Sequence, residues 1–155
     1  MALEIERRFL IKNDNWKEFI TKKIFIEQGY LSKSLDDWII RIRFTGKDFK
    51  IALKKHIESF TNYEFEYSIP QKDGETIMSN LSNIIKKERF FLEVEKKSWI
   101  IDCFKENNYP LEIAEIELSK EEEDLSLPSF ISKEITGLTK YSNFNLADKP
   151  FSEWN

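Results

Sequence analysis

Three charges stand in strict alternation within the stretch Leu3–Ile11, so that in an extended chain Glu4, Glu6 and Arg8 project from one face and Ile5 and Phe9 from the other. The pattern returns along the chain. Arg41 and Arg43 alternate within Ile40-Arg41-Ile42-Arg43-Phe44, and Lys50 and Lys54 share a face with Ala52. Glu64 alternates with Glu66, Lys87 with Arg89 and Glu115 with Glu117. One such doublet is ordinary for a strand with a solvated face. Its recurrence, acidic in some strands and basic in others, predicts that the charged faces converge. The opposite faces are expected to be apolar, as with Ile40, Ile42 and Phe44, or Ile113 and Ile116 around Ala114, and to be covered by flanking helices.

Period-two segments are predicted at 3–11, 23–32, 38–44, 49–55, 63–69, 85–94, 98–104 and 111–118, with Gly46-Lys47-Asp48 as a hairpin turn. Two short helical passages interrupt them. Asn13-Asp14-Asn15 offers N-cap chemistry for a brief helix through Trp16, Phe19 and Ile20. After Pro70, the spacing of Ile77, Leu81 and Ile84 predicts a surface helix over 75–81. Residues 128–155 are less regular, and the run Glu121-Glu122-Glu123-Asp124 reads as a solvated turn. No repeat or linker divides residues 1–155, so a single domain is expected. About eight strands in one domain favour a closed or nearly closed antiparallel barrel, which removes sheet edges.

Composition narrows the function classes. A net charge of -4 argues against general affinity for nucleic acid or an anionic membrane, while leaving room for a local basic pocket. No apolar stretch approaches the ~20 residues of a membrane-spanning helix. Charge by the fourth residue and a single cysteine predict a cytoplasmic protein without an intrachain disulfide. Cys103, in Ile-Ile-Asp-Cys-Phe, reads as a packed thiol, and His56, the only histidine, as a surface or capping residue. In an interior of both signs the two sets have separate roles, since carboxylates suit hard divalent cations, and guanidinium and ammonium groups suit phosphate oxygens.

The ordered blocks resemble the CYTH, or triphosphate tunnel metalloenzyme, family. Glu4-Ile5-Glu6-Arg7-Arg8 is similar to its N-terminal Glu-x-Glu-x-Lys signature. Gln28-Gly29-Tyr30-Leu31, Arg41-Ile42-Arg43, Glu64-Phe65-Glu66-Tyr67, Lys87-Glu88-Arg89-Phe90, Trp99-Ile100-Ile101-Asp102-Cys103-Phe104 and Ala114-Glu115-Ile116-Glu117-Leu118 follow in the family's order, and Tyr141-Ser142-Asn143 resembles its C-terminal segment. The resemblance implies a mainly antiparallel β fold of the α+β class, a closed tunnel barrel of about eight strands with a few flanking helices. It implies divalent-metal-dependent hydrolysis of inorganic triphosphate, with Mg2+ or Mn2+ as cofactor. Thiamine triphosphate hydrolysis, class IV adenylyl cyclisation and a non-catalytic polyphosphate or nucleotide binder are the alternatives. Inorganic or organic triphosphate is the implied partner, without nucleic acid or membrane, in a monomer or homodimer.

Carried over by position, Glu4, Glu6, Glu64, Glu66, Glu115 and Glu117 would hold metal, and Arg8, Arg41, Arg43, Lys54, Lys87 and Arg89 would hold phosphate. Arg8 and Tyr30 take the catalytic positions, with the Tyr30 hydroxyl expected to orient Arg8, and Asp102 is expected to orient basic residues. Two departures stand out. Arg8 occupies the signature's lysine position, and an arginine keeps its proton, so it acts as an electrostatic clamp and not as a base. Asn62 stands where the family carries another arginine, with Lys55 or His56 as replacements for that contact.

Overall fold

The computed structural model describes residues 2–32, 34 and 37–154. Its strands are β1 (Leu3–Ile11), β2 (Ile20–Tyr30), β3 (Ile39–Phe44), β4 (Phe49–Glu58), β5 (Thr61–Ile69), β6 (Ile85–Val94), β7 (Lys97–Phe104), β8 (Glu112–Glu117) and β9 (Ile131–Glu134). They form one antiparallel sheet in the order β5-β4-β3-β2-β6-β7-β8-β1-β9. β5 also pairs with β1, from Leu3↔Tyr63 to Ile5↔Thr61, so β1 to β8 close into a barrel. The ninth strand is an outer addition along Phe9–Ile11 of β1. Closure leaves these eight strands with no open edge.

Most predicted segments fall within these strands, and the differences have local causes. β2 begins early, at Ile20, because the brief N-terminal helix is a single 3-10 turn over Asn15–Phe19. Its entry bond is made by Asn13 Oδ1, which accepts from the Asn15 N–H at 2.9 Å. The helix predicted at 75–81 is α1 (Gln71–Ser79), which starts directly after an extended Pro70. Leu81 and Ile84 lie beyond it and reach back over β2, where a Cβ at Gly29 would come within 2.7 Å of Leu81 Cδ1. Gly74 lets α1 lie flat on the barrel: a Cβ there would stand 2.2 Å from the Phe49 ring. The irregular C-terminal region holds β9 and a further helix, α2 (Asn143–Asp148), capped by Ser142 Oγ, which accepts from the Asn145 N–H at 3.1 Å.

The apolar core is divided between the two sides of the barrel wall. Outside, Phe9, Trp16, Leu92, Trp99, Ile101, Ala114, Ile116 and Phe130 form one cluster beneath the N-terminal 3-10 turn and the chain leading into β9. Inside, Ile85, Phe104, Leu111 and Ile113 meet Ile135, Tyr141 and Leu146, so the C-terminal segment closes one end of the barrel. Each fully buried aromatic or aliphatic side chain contributes about 1.5–3 kcal/mol by transfer from water. Ile113 corrects the expected pattern. It stands opposite Leu10 and Asp102 on the inner face, with Ala114 and Ile116 outside. Helix cover is also incomplete, since Tyr63 and Tyr67 on the outer face of β5 remain 43% and 57% exposed.

Candidate active site

Directly opposed residues of neighbouring strands share a face, and the register therefore carries one charged surface around the barrel. Glu4 faces Asn62, Glu6 faces Glu117, and Arg8 faces Glu115. Lys54 faces Glu64, Ala52 lies between Arg41 and Glu66, and Arg43 lies between Gln28 and Lys50. Tyr30 faces Arg41, Arg89 faces Asp102, and Lys87 faces Phe104. All the residues carried over as metal, phosphate or catalytic positions thus stand on the interior face. They are also graded along it: β1 presents Glu4, Glu6, Arg8 and then Leu10, and β8 presents Glu117, Glu115 and then Ile113. Along these two strands charged side chains give way to apolar ones toward the end closed by α2, and on the strands across the barrel cations stand beside the carboxylates.

The ion pairs form two groups. Toward the acidic end, Lys54 Nζ lies 2.6 Å from Glu4 Oε1, and Asn62 Nδ2 donates to the same oxygen at 3.4 Å. Arg41 lies 3.4 Å and Lys50 3.6 Å from Glu66. Deeper, Arg8 Nε donates to Glu115 Oε2 at 3.1 Å, and its Nη1 donates to the Tyr141 carbonyl at 3.0 Å. Asp102, fully buried, accepts from Arg89 at 2.8 and 3.0 Å and from Lys87 at 2.8 Å. Lys87 also donates to Asn143 Oδ1 at 3.0 Å. Asp102 therefore orients basic residues, as the sequence implied.

Tyr30 has a different partner from the one expected. Its hydroxyl accepts from Gln28 Nε2 at 2.9 Å, and Gln28 Oε1 in turn accepts from Arg43 Nε at 3.0 Å. Arg8 turns away from it because Glu115 and the Tyr141 carbonyl hold its Nε and Nη1, with Glu6 4.0 Å from Nε. Neither proposed stand-in for the arginine missing at Asn62 contacts the charged groups: Lys55 is on the outer face, and His56, opposite Asn62, is turned to its own hairpin at the exposed rim. Lys55 lies over the Trp38 ring and 3.7 Å from Asp37, while His56 bonds the Ser59 carbonyl at 2.8 Å in an exposed hairpin. Cys103 contacts Glu112, and burial with that carboxylate pushes its thiol up to about 12, far from a nucleophile's range. In the acidic run, Glu123 is bonded by Lys97 and Ser119 and Glu121 by Thr61.

Burial is the largest influence on the interior charges and their neighbours decide the outcome, with carboxylates raising Arg8, Lys54 and Arg89. Burial, then Glu115 and Glu4, push Glu6 up to about 8, outweighing Lys54 and Arg8. Burial and Glu4 likewise raise Glu64 and Glu117. Among the cations, burial followed by Arg41 and Arg89 pushes Arg43 down, and burial lowers Lys87 to about 7 against the pull of Asp102. Asp102 stays well below the usual carboxylate range, because Arg89 and Lys87 overcome the effect of burial. Arg8 Nη2 and Arg41 Nε are buried without a hydrogen-bond acceptor among the described residues. Such donors are costly to bury and suit a polyanion.

The carboxylate end fits a hard divalent cation by its chemistry. Its donors are all oxygen, and Glu6, Glu64 and Glu117 are held above their ordinary range by burial and by the charge of Glu4, with Glu115 acting on Glu6 as well, a cost that a cation would relieve. No three of these side chains are gathered at ligating distance among the described residues. Sequence reading gave no interior role to Gln28, Asn143 or the Tyr141 carbonyl, and it placed Lys50 on the charged face without naming it as a phosphate contact. Gln28 could have been found from its place two residues before Tyr30, on the same alternating face. Nothing in the periodicity pointed to the C-terminal contributions.

Fold and site together define a closed antiparallel barrel with a charged interior. The chain is 31% identical over 156 residues to the inorganic triphosphatase of Acetivibrio thermocellus, covering 99% of each chain. Among solved structures it is similar to the inorganic triphosphatase NE1496, with 25% identity, a TM-score of 0.69 and 95% of each chain covered. An adenylyl cyclase candidate from Hippeastrum with a dominant triphosphatase activity shares the fold at 15% identity and a TM-score of 0.58, over 77% of this chain and 80% of that one. No family model matches the chain. Whole-length similarity to the Acetivibrio protein shows that the chain belongs to the CYTH, or triphosphate tunnel metalloenzyme, family. No helix among the described residues is long and apolar enough to cross a membrane.

Proposed function

We propose that the barrel interior binds inorganic triphosphate together with Mg2+ or Mn2+ and hydrolyses it to pyrophosphate and phosphate. The observation that carries this reading is one barrel interior lined by two sets of charges, in which burial and neighbouring carboxylates push Glu6 up, burial and neighbouring arginines push Arg43 down, and Arg8 Nη2 and Arg41 Nε are buried without an acceptor among the described residues. A triphosphate with its metal complements both sets at once. The names of the Acetivibrio relative and of NE1496 support the same substrate.

Glu4 and Glu6, with Glu64, Glu66, Glu115 and Glu117, would hold the metal, which when bound offsets phosphate charge and lowers the pKa of a coordinated water. Arg8, Arg41, Arg43, Lys54, Lys87 and Arg89 hold phosphate oxygens and stabilise the charge that spreads over the transferred phosphoryl group. Asp102 holds Lys87 and Arg89 in place for that role. Arg8 keeps its proton and clamps, so the proton of the attacking water leaves to a carboxylate or to solvent.

The test is a panel of tripolyphosphate, thiamine triphosphate and ATP with magnesium or manganese, read out for phosphate, pyrophosphate and cyclic nucleotide. Phosphate and pyrophosphate from tripolyphosphate at the highest kcat/KM is the expected result. Preferential release of cyclic nucleotide, or binding of tripolyphosphate without any product, would overturn the reading.

A further inference from the structure

Arg43 is distinguished from every other interior cation by its partner. Arg8, Arg41, Lys50, Lys54, Lys87 and Arg89 each have a carboxylate within 4.0 Å. Arg43 has none among the described residues, and its Nε donates instead to the neutral amide of Gln28 at 3.0 Å. Gln28 is completely buried. Its other end donates to the Tyr30 hydroxyl, and the Tyr30 ring packs edge-on against Phe144 of α2 with centroids 5.5 Å apart. Both ends of the amide are thus engaged, so its oxygen is held toward Arg43.

Burying an unpaired guanidinium is unfavourable, and a glutamate of nearly the same shape at position 28 would relieve it by forming an ion pair. A glutamine supplies the hydrogen bond and leaves the charge intact. Because Nε is occupied, the two terminal nitrogens of Arg43 remain as a planar fork for phosphate oxygens. Resting on the triphosphate reading above, we propose that Gln28 is a positioning residue that aims Arg43 and, by being neutral, reserves its full charge for the bound triphosphate. The chain thereby concentrates uncompensated positive charge at one interior position, next to Arg41 and Arg89.

The test uses full-length wild type, Gln28→Glu and Gln28→Met, each titrated calorimetrically with sodium tripolyphosphate, alongside melting temperatures without ligand. Gln28→Glu should bind tripolyphosphate at least about tenfold more weakly, a factor worth ~1.4 kcal/mol, while melting at or above the wild-type temperature. A role in packing alone would instead make affinity and melting temperature fall together. Gln28→Met, which keeps the charge of Arg43 and releases its orientation, should show a smaller loss of affinity. Affinity of Gln28→Glu within about twofold of wild type, where ~0.4 kcal/mol is at stake, would overturn the proposal alone. If Gln28→Glu does not fold, undiminished affinity in Gln28→Met overturns it and weakened affinity supports it. Wild type that binds no tripolyphosphate would overturn the parent reading, and this one with it.

Discussion

Lys54 Nζ stands 2.6 Å from Glu4 Oε1, so one of the two N-terminal carboxylates is bonded to a cation of the protein itself, while its neighbour Glu6, 4.0 Å from Arg8, has no cation at hydrogen-bond distance among the described residues. The two glutamates are therefore not equivalent. Replacing either by glutamine keeps its shape and removes a charge that a hard cation needs. Glu4→Gln and Glu6→Gln are both expected to lower metal-dependent turnover by about 10²-fold or more, in the range found when charge-stabilising groups are removed. Glu4→Gln also frees Lys54, and it should lose some stability that Glu6→Gln does not. Steady-state phosphate release and circular dichroism on the same samples check both statements.

Glu6 also makes stability depend on pH. Its ordinary value of 4.5 applies in the unfolded chain, and burial with Glu115 and Glu4 pushes it to about 8 in the fold. Between those values the folded protein keeps a proton that the unfolded chain has lost, so the contribution of Glu6 to stability falls as pH rises through this window. Glu6→Gln lacks the effect. Its melting temperature should gain on that of wild type from about pH 5 to about pH 9, and magnesium should narrow the gap. A gap independent of pH would show Glu6 ionised throughout.

Asp102 ties two buried cations to one carboxylate, and removing it strands both. Asp102→Asn is expected to cost about 3–5 kcal/mol. Glu66→Gln, which breaks contacts of a carboxylate that is 34% exposed, should cost about 0–1 kcal/mol. Urea denaturation of the two variants against wild type measures the difference. Equal losses would mean that Lys87 and Arg89 find other partners.

The barrel is legible in the sequence because strand alternation is a local code. Once the charged doublets are read as facing one way, β-pairing carries Arg8 to Glu115 and Lys54 to Glu64 without further information. The interior's remaining partners depend on tertiary placement, which alternation does not encode. Asn143 meets Lys87 and the Tyr141 carbonyl meets Arg8 only because the C-terminal segment folds across one end of the barrel. Alternation itself puts Ile113 with Glu115 and Glu117; only the expectation that apolar residues lie outside misplaces it, because beneath α2 the inner face turns apolar. The expected pairing of Tyr30 with Arg8 gives way to a nearer one, since a hydrogen-bond partner for its hydroxyl lies on its own strand at Gln28.

Ligand should reveal the interior through stability. Only the closed barrel gathers these charged side chains, so triphosphate with metal is expected to bind the folded form and raise its melting temperature by linkage, about 2.7 kcal/mol at a hundredfold excess over Kd. A scanning fluorimetry series with tripolyphosphate and magnesium is expected to show a saturable rise. Chloride at matched ionic strength should not. A rise that chloride reproduces would place the effect in general screening.

Arg8 uses its three guanidinium nitrogens differently: Nε bonds Glu115 at 3.1 Å, Nη1 bonds the Tyr141 carbonyl at 3.0 Å, and Nη2 is buried without an acceptor among the described residues. Two nitrogens thus fix the side chain, and the third is left for substrate. A lysine at this position has one nitrogen for all three contacts and a shape that holds no fork. Burial pulls the Arg8 pKa down, but Glu115 and Glu6 more than compensate, so the group is a permanent cation and contributes no ionisation to a pH–rate profile. Arg8→Lys is expected to lower kcat by about 10-fold or more, ~1.4 kcal/mol of transition-state stabilisation, with the profile unchanged in shape. The measurement is a pH series of steady-state rates for both proteins at saturating magnesium and tripolyphosphate. A higher kcat in Arg8→Lys, together with a new ionisation, would show that this position serves as a base, and that the arginine of this chain has given that role up for the clamp.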